Sequence, residues 1–167
     1  MAVPGEPGIT VVADSDEHTE DGHLTEDHAV RIAMVEKRMR KGEALAMETL
    51  PPLVSGPPEA EMLLIGFGST KGVIAEAREI LAGEGIAAAA VHLRQVDLRQ
   101  VEPFPAQAVS EILDRYRTAL TVENNRTGQL ARLIRAETGR EVAGTVARFD
   151  GLPFTPVEVA ERVKERR

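Results

Sequence analysis

The sequence of 167 residues has no cysteine, no tryptophan and only 3% aromatic residues. Without cysteine the chain can form no disulfide, thiolate metal site, thiolate-held iron–sulfur cluster or cysteine nucleophile. That composition fits a reducing, cytoplasmic setting. A core with so few aromatics must be built from Leu, Ile, Val and Ala. No apolar run approaches the roughly 18 residues of a membrane span. The opening MAVPGEPG has neither the charged start nor the apolar stretch of a signal peptide. Asp14 to His28 contains no Lys or Arg. Its seven acids carry −7, the whole net charge of the protein, so the remaining residues are balanced. A basic face with interleaved aromatics, the footprint of nucleic acid binding, is missing too.

What is present divides into three parts. Residues 1–28 read as an extended acidic arm, within which GITVVAD (Gly8 to Asp14) could form one short strand. Residues 29–60 read as a helix followed by a proline-rich linker. Val30, Met34, Val35 and Met39 fall loosely on one side of that helix, and Arg31 to Lys41 carries five positive residues against Glu36 alone. Four prolines between Pro51 and Glu61 argue against regular structure there.

From residue 61 onwards strand and helix alternate. MLLIGFG is a continuous apolar run ending in glycines, as expected of a strand buried on both faces. Val73, Ile74, Ala77, Ile80 and Leu81 form a helical stripe closed by Gly83 and Gly85. IAAAAVHL, TALTVE and EVAGTVARF read as further strands. Helices are expected over Pro105–Arg117, over Thr127–Thr138 and from Pro156, where Thr155-Pro156-Val157-Glu158 has the pattern of a capping box. This order predicts a three-layer α/β/α domain over 61–167, with a mainly parallel sheet of four to five strands and right-handed crossovers.

Two loops stand where strands meet helices. Gly66-Phe67-Gly68-Ser69-Thr70-Lys71-Gly72 resembles a phosphate cradle, but its G-x-G-x-x-x-G spacing fits neither the dinucleotide fingerprint nor a P-loop. The bland alternative is a tight turn capped by Ser69 or Thr70. Glu123-Asn124-Asn125-Arg126-Thr127-Gly128-Gln129 follows the third strand. Polar residues at the carboxyl ends of parallel strands are where α/β sheets take ligands. The alternative there is Asn125 as a helix cap. The histidines His18, His23 and His28 step about 140° on a helix and cannot share a face. A calcium loop begun at Asp14 fails at Thr19 and Thr25. No metal site is expected, and His92 is expected to be a hydrogen-bonded histidine of the core or rim. No catalytic residue is assigned. The turn Asp150–Phe154 and the segment Val101–Pro105 read as turns carrying apolar plugs.

Six stretches taken together resemble the C-terminal part of the alpha subunit of 2-oxoacid:ferredoxin oxidoreductases, of the 2-oxoglutarate type. They are Asp16–Asp27, Met34–Lys41, Ile65–Thr70, Val101–Pro105, Glu123–Ala131 and Phe149–Phe154, in that order along the chain. The resemblance implies a domain shaped like the C-terminal domain of transketolase, with sheet order 1-3-2-4-5 and strand 1 antiparallel. MLLIGFG would be strand 2, TALTVE strand 4 and GITVVAD strand 1. Gly66, Gly68, Ser69, Thr70, Glu123, Asn124, Asn125 and Gln129 would then flank one switch-point crevice, as a contact or ligand site.

The resemblance further implies a holoenzyme using thiamine diphosphate, Mg²⁺, an iron–sulfur cluster and coenzyme A as co-substrate. None of these is expected to be bound by this chain alone. Its partners would be the remaining alpha-subunit domains and a beta subunit, with ferredoxin meeting the holoenzyme. The chain would be a fragment, a truncated product or a split subunit, inactive by itself. Glu17, His18, Gly22, His23 and Glu26 would contact the other domains, so residues 1–28 are expected to be poorly packed here. Two other readings stand beside this one. The first is a free-standing α/β module that binds a phosphate ligand, and the second is another enzyme with the same domain shape.

Overall fold

A computed structural model describes residues 5–8, 16–48, 50–93 and 104–166. The chain forms two compact units, the first ending at Leu45 and the second beginning at Ala46. GITVVAD lies almost wholly outside the described residues, as does Val101–Pro103.

In the first unit, α1 (His28–Met47) is preceded by a tight turn. Asp27 starts the helix: its Oδ1 accepts from the backbone N–H groups of Ala29 (2.7 Å) and Val30 (3.0 Å). These bonds hold the Asp27 carboxyl below its ordinary pKa. Of the four residues expected on one side of the helix, Met34 is buried, while Val35 and Met39 are exposed.

The second unit is an α/β/α sandwich. Its elements are β1 (Val54–Ser55), β2 (Met62–Phe67), α2 (Thr70–Gly83), β3 (Ala88–Leu93), α3 (Ala106–Leu113), β4 (Thr118–Glu123), α4 (Gln129–Thr138), β5 (Gly144–Ala147) and α5 (Pro156–Lys164). The sheet order is β1-β3-β2-β4-β5. All pairings are parallel except that of β1 with β3. This is the order expected of the transketolase C-terminal-like domain. Alternation along the strands explains the layering. Met62 and Leu64 face the side covered by α2 and α5, whereas Leu63 and Ile65 face α3 and α4. Both faces are covered, so the strands read as unbroken apolar runs.

Strand 1 corrects the sequence reading. The antiparallel edge strand is Val54–Ser55, inside the proline-rich segment read as a linker, with Val54 opposite Val91 and Ser55 opposite Ala90. Prolines are tolerated beside so short an edge strand because its outer N–H groups have no ladder to join. Arg78 fastens it, donating Nε to the Ala88 carbonyl (2.8 Å) and Nη1 to Ser55 Oγ (3.1 Å). Gly56, at φ +115°, makes room, since a Cβ there would lie 2.4 Å from the Arg78 guanidinium.

The capping box at α5 is only half formed. Thr155 Oγ1 accepts from Glu158 N–H (3.2 Å). The Glu158 carboxylate turns away to Arg162 Nη2 (2.7 Å) and to Arg148 Nη1. Two guanidiniums attract a carboxylate more strongly than one backbone N–H does. Phe154 is buried against α2 and α5 as the expected plug. No helix among the described residues is long and apolar enough to cross a membrane.

Candidate functional site: the switch-point crevice

From β2 the chain crosses to β3 on one side; from β3 it returns to β4 on the other. The carboxyl ends of β2 and β4 are therefore adjacent, with Gly66 opposite Val122, and no crossover helix among the described residues covers the gap between them. A crevice of about 520 Å³ opens there. The two loops singled out in the sequence form its walls.

The glycine loop supplies Gly68, Ser69 and Thr70. Thr70 is buried, and its hydroxyl both accepts from Phe67 N–H and donates to the Phe67 carbonyl, each at 3.0 Å. Thr70 thus tightens the turn from β2 into α2. Ser69 occupies the cap position without a side-chain cap bond. His92 Nε2 lies 3.0 Å from the Gly68 carbonyl, so this rim histidine braces the loop from β3. Gly66 lies behind the wall. A Cβ there would meet Ile74 Cδ1 at 2.4 Å and Thr70 Oγ1 at 2.7 Å, so the bare backbone is what lets α2 approach β2.

The second wall is organised by Glu123, the last residue of β4, which is 4% exposed. Its carboxylate accepts from Leu130 N–H (2.8 Å) and Ala131 N–H (3.1 Å), the second and third residues of α4. It also accepts from Asn125 Nδ2 (2.8 Å). Asn125 Oδ1 in turn accepts from the N–H groups of Thr127 and Gln129, each at 3.1 Å. The expected Asn125 cap is present, then, but it is shared with Glu123. Gly128, at φ +63°, takes the left-handed turn into α4. Asn124 and Gln129 are exposed on the rim.

Of the eight residues expected at this site, seven line the crevice and Gly66 supports it from behind. The floor escaped the sequence reading: Phe67, Val122, Leu130 and Leu133 complete the lining. Leu130 and Leu133 look like core positions of a helical stripe. Only the sheet order puts them beside the β2 loop.

Electrostatics decide what the crevice can hold. The α4 N–H groups that could bind an anion are already engaged by Glu123 and Asn125. A buried carboxylate repels a phosphate there. Among the described residues no three His, Asp or Glu side chains converge to hold a metal ion. These residues do not fit a magnesium–diphosphate group, and a chain without cysteine offers no thiolate to an iron–sulfur cluster.

The arm residues form a separate constellation. His18 and Leu24 make an antiparallel bridge closed at Gly22, which has φ +88°. The Glu17 side chain is 7% exposed. Arg38 grips it with Nη1 at 3.0 Å and Nη2 at 2.7 Å, and Arg31 lies 3.8 Å away. The Arg38 guanidinium holds the Glu17 carboxyl at about 2, far below its ordinary 4.5. Lys37 pairs with Glu20 at 2.8 Å and lowers that carboxyl too. No residue of 16–27 is buried, and these pairings are made with α1, inside the first unit. Glu17, expected to contact the other domains, is paired with the basic face of α1, and so is Glu20. His18, Gly22, His23 and Glu26 remain exposed.

Comparison with known proteins follows the same lines. The family described as pyruvate:ferredoxin oxidoreductase core domain II matches residues 60–159. The chain is 38% identical over 159 residues to the alpha subunit of 2-oxoacid:ferredoxin oxidoreductase 2 of Aeropyrum pernix, covering 93% of this chain and 24% of that subunit. It is 30% identical over 166 residues to 2-oxoglutarate oxidoreductase subunit KorA of Mycobacterium tuberculosis, covering 98% of this chain and 24% of that subunit. Among solved structures, the 2-oxoglutarate:ferredoxin oxidoreductase from Magnetococcus marinus, with 2-oxoglutarate, coenzyme A and succinyl-CoA bound, superposes with a TM-score of 0.74. That match has 32% identity and covers 99% of this chain and 28% of that one. The chain spans about a quarter of the length of the curated relatives it matches.

Proposed function

Since the chain belongs to the family of the pyruvate:ferredoxin oxidoreductase core domain II, we propose that it serves as that domain in a 2-oxoacid:ferredoxin oxidoreductase alpha subunit. The enzyme would decarboxylate 2-oxoglutarate or a related 2-oxoacid oxidatively, form the acyl-CoA and reduce ferredoxin in the cytoplasm. Thiamine diphosphate, Mg²⁺ and an iron–sulfur cluster would be held by the other domains and the beta subunit. This chain's work is assembly and support of that centre. One observation carries the reading: the likeness to the Magnetococcus marinus enzyme runs over 99% of the chain, arm included, at a TM-score of 0.74.

A free-standing phosphate-binding module is the other reading. Glu123 counts against it, because its buried carboxylate lines the same crevice as the glycine loop and repels a phosphate there. The test is co-expression with the remaining alpha-subunit domains and the beta subunit. Co-elution on size exclusion and viologen reduction dependent on 2-oxoglutarate and coenzyme A are expected. No complex, or a complex equally active without this chain, refutes the proposal.

A further inference from the structure

The crevice carries a charge that no cation among the described residues neutralises. Glu123 is buried to 4% exposure, and its donors among the described residues are neutral: two backbone N–H groups and the Asn125 amide. Among the described residues no Lys, Arg or His pairs with it. The nearest cation in sequence, Arg126, lies over the exposed Phe149 ring, 5.3 Å from its centroid. The positive end of α4 offsets part of the carboxylate's charge. Burying a carboxylate behind a further apolar surface, with no cation supplied, costs free energy.

The shape of the crevice narrows the choice of occupant. Phe67, Val122, Leu130 and Leu133 offer an apolar floor beside the Glu123 wall, with Asn124 and Gln129 exposed at the rim. An anion meets like charge and finds the α4 donors engaged. A purely apolar plug desolvates the carboxylate without compensation. A basic head on an apolar stem satisfies both features, its methylenes on the apolar floor and its donors on the carboxylate.

We propose that the switch-point crevice receives an arginine or lysine side chain from the polypeptide with which this domain assembles. The inference rests on the proposed assembly role for the identity of that polypeptide. It does not rest on it for the chemistry of the crevice.

The experiment separates the two. The full chain, labelled with ¹⁵N, is titrated with benzamidine, a cation on an apolar body, and in a second series with inorganic phosphate. Benzamidine is expected to bind in the millimolar range and shift the amides of 67–70 and 124–130, while phosphate leaves them unmoved. Glu123→Gln should weaken benzamidine about tenfold, the loss expected for one charge-assisted bond. Asn124→Lys is the control for a fold effect. Asn124 is exposed, and a cation at the mouth should weaken benzamidine while the rest of the spectrum stays unchanged. Shifts by phosphate in place of benzamidine, shifts by neither, or benzamidine binding unaltered in both variants overturns the proposal. Assembly is then compared between wild type and Asn124→Lys by size exclusion. If wild type assembles and Asn124→Lys assembles equally well, the crevice is not the docking point, though the assembly role stands. If wild type does not assemble, that role fails, while the titration still decides the chemistry.

Discussion

Replacing Glu123 by glutamine should destabilise the α/β unit by about 2–4 kcal/mol, a figure that follows from its hydrogen bonds. Three N–H donors converge on the two carboxylate oxygens: Leu130, Ala131 and Asn125. The amide keeps the volume but leaves one accepting oxygen, so at least one donor loses its partner. A buried donor without a partner costs about 1–3 kcal/mol. The bonds that survive fall from charge-assisted to neutral, a loss of about 1 kcal/mol each. Removing the charge from the first turn of α4 costs about 0.3–1 kcal/mol more. Water entering from the crevice should recover part of the total, since it can reach the orphaned group.

The sequence supplies its own assay. Tyr116 is the only tyrosine, there is no tryptophan, and Tyr116 packs against the core beneath α3 and α4. Its fluorescence during urea unfolding reports the α/β unit without interference from the arm. Glu123→Asp keeps the charge but is one methylene shorter, and should fall between wild type and glutamine. A loss below about 1 kcal/mol in Glu123→Gln, at unchanged slope, would mean that the carboxylate does not hold α4, and the reasoning fails.

Gly66→Ala should cost about 1–3 kcal/mol, an overpacking penalty, because the new Cβ lies 2.4 Å from Ile74 Cδ1; a melting temperature within a degree of wild type refutes that close approach. Thr155→Ala removes the acceptor of Glu158 N–H and should cost about 1 kcal/mol in the same urea assay, and no loss would show that Arg148 and Arg162 anchor the turn without the cap. The arm should respond to acid. Its Glu17 pKa is lowered to about 2 from 4.5, so the stabilisation is present above about 4.5 and is lost as pH falls towards 2. Chemical shifts of residues 17–25 should therefore move towards random-coil values over that window, while Glu17→Gln shows them already displaced at pH 7; an arm unchanged at pH 2.5 refutes the clasp.

How much of this was legible in the sequence depended on whether the signal was local. MLLIGFG, IAAAAVHL and TALTVE announced themselves because strands covered on both faces are apolar throughout. The helical stripe from Val73 to Leu81 did so by its spacing. Val54–Ser55 did not, because a strand of two residues between proline pairs has no period. Its existence depends on Arg78, more than twenty residues away, reaching back to Ser55. The crevice walls were legible because polar loops at strand ends mark them, while its floor needed the sheet order. In the arm, the acidic and basic halves were plain as charge. Their pairing was not, because it requires the turn at Gly22 to bring Glu17 back along α1.

Glu123 joins a strand to a helix that begins well beyond it. An ordinary helix cap sits beside its helix and fixes only the first turn. Glu123 lies six residues before α4 and belongs to β4, where it is hydrogen-bonded within the sheet opposite Ala147. Its carboxylate therefore ties the helix to the strand, and the loop 124–128 is held at both ends. The same tie engages N–H groups of the first turn of α4, which are then not free for an anion. A surface fixed in this way loses little conformational freedom when a partner docks. The rigidity of the wall and its preference for a cation thus have one cause, and no substitution at Glu123 can relax the first while leaving the second intact.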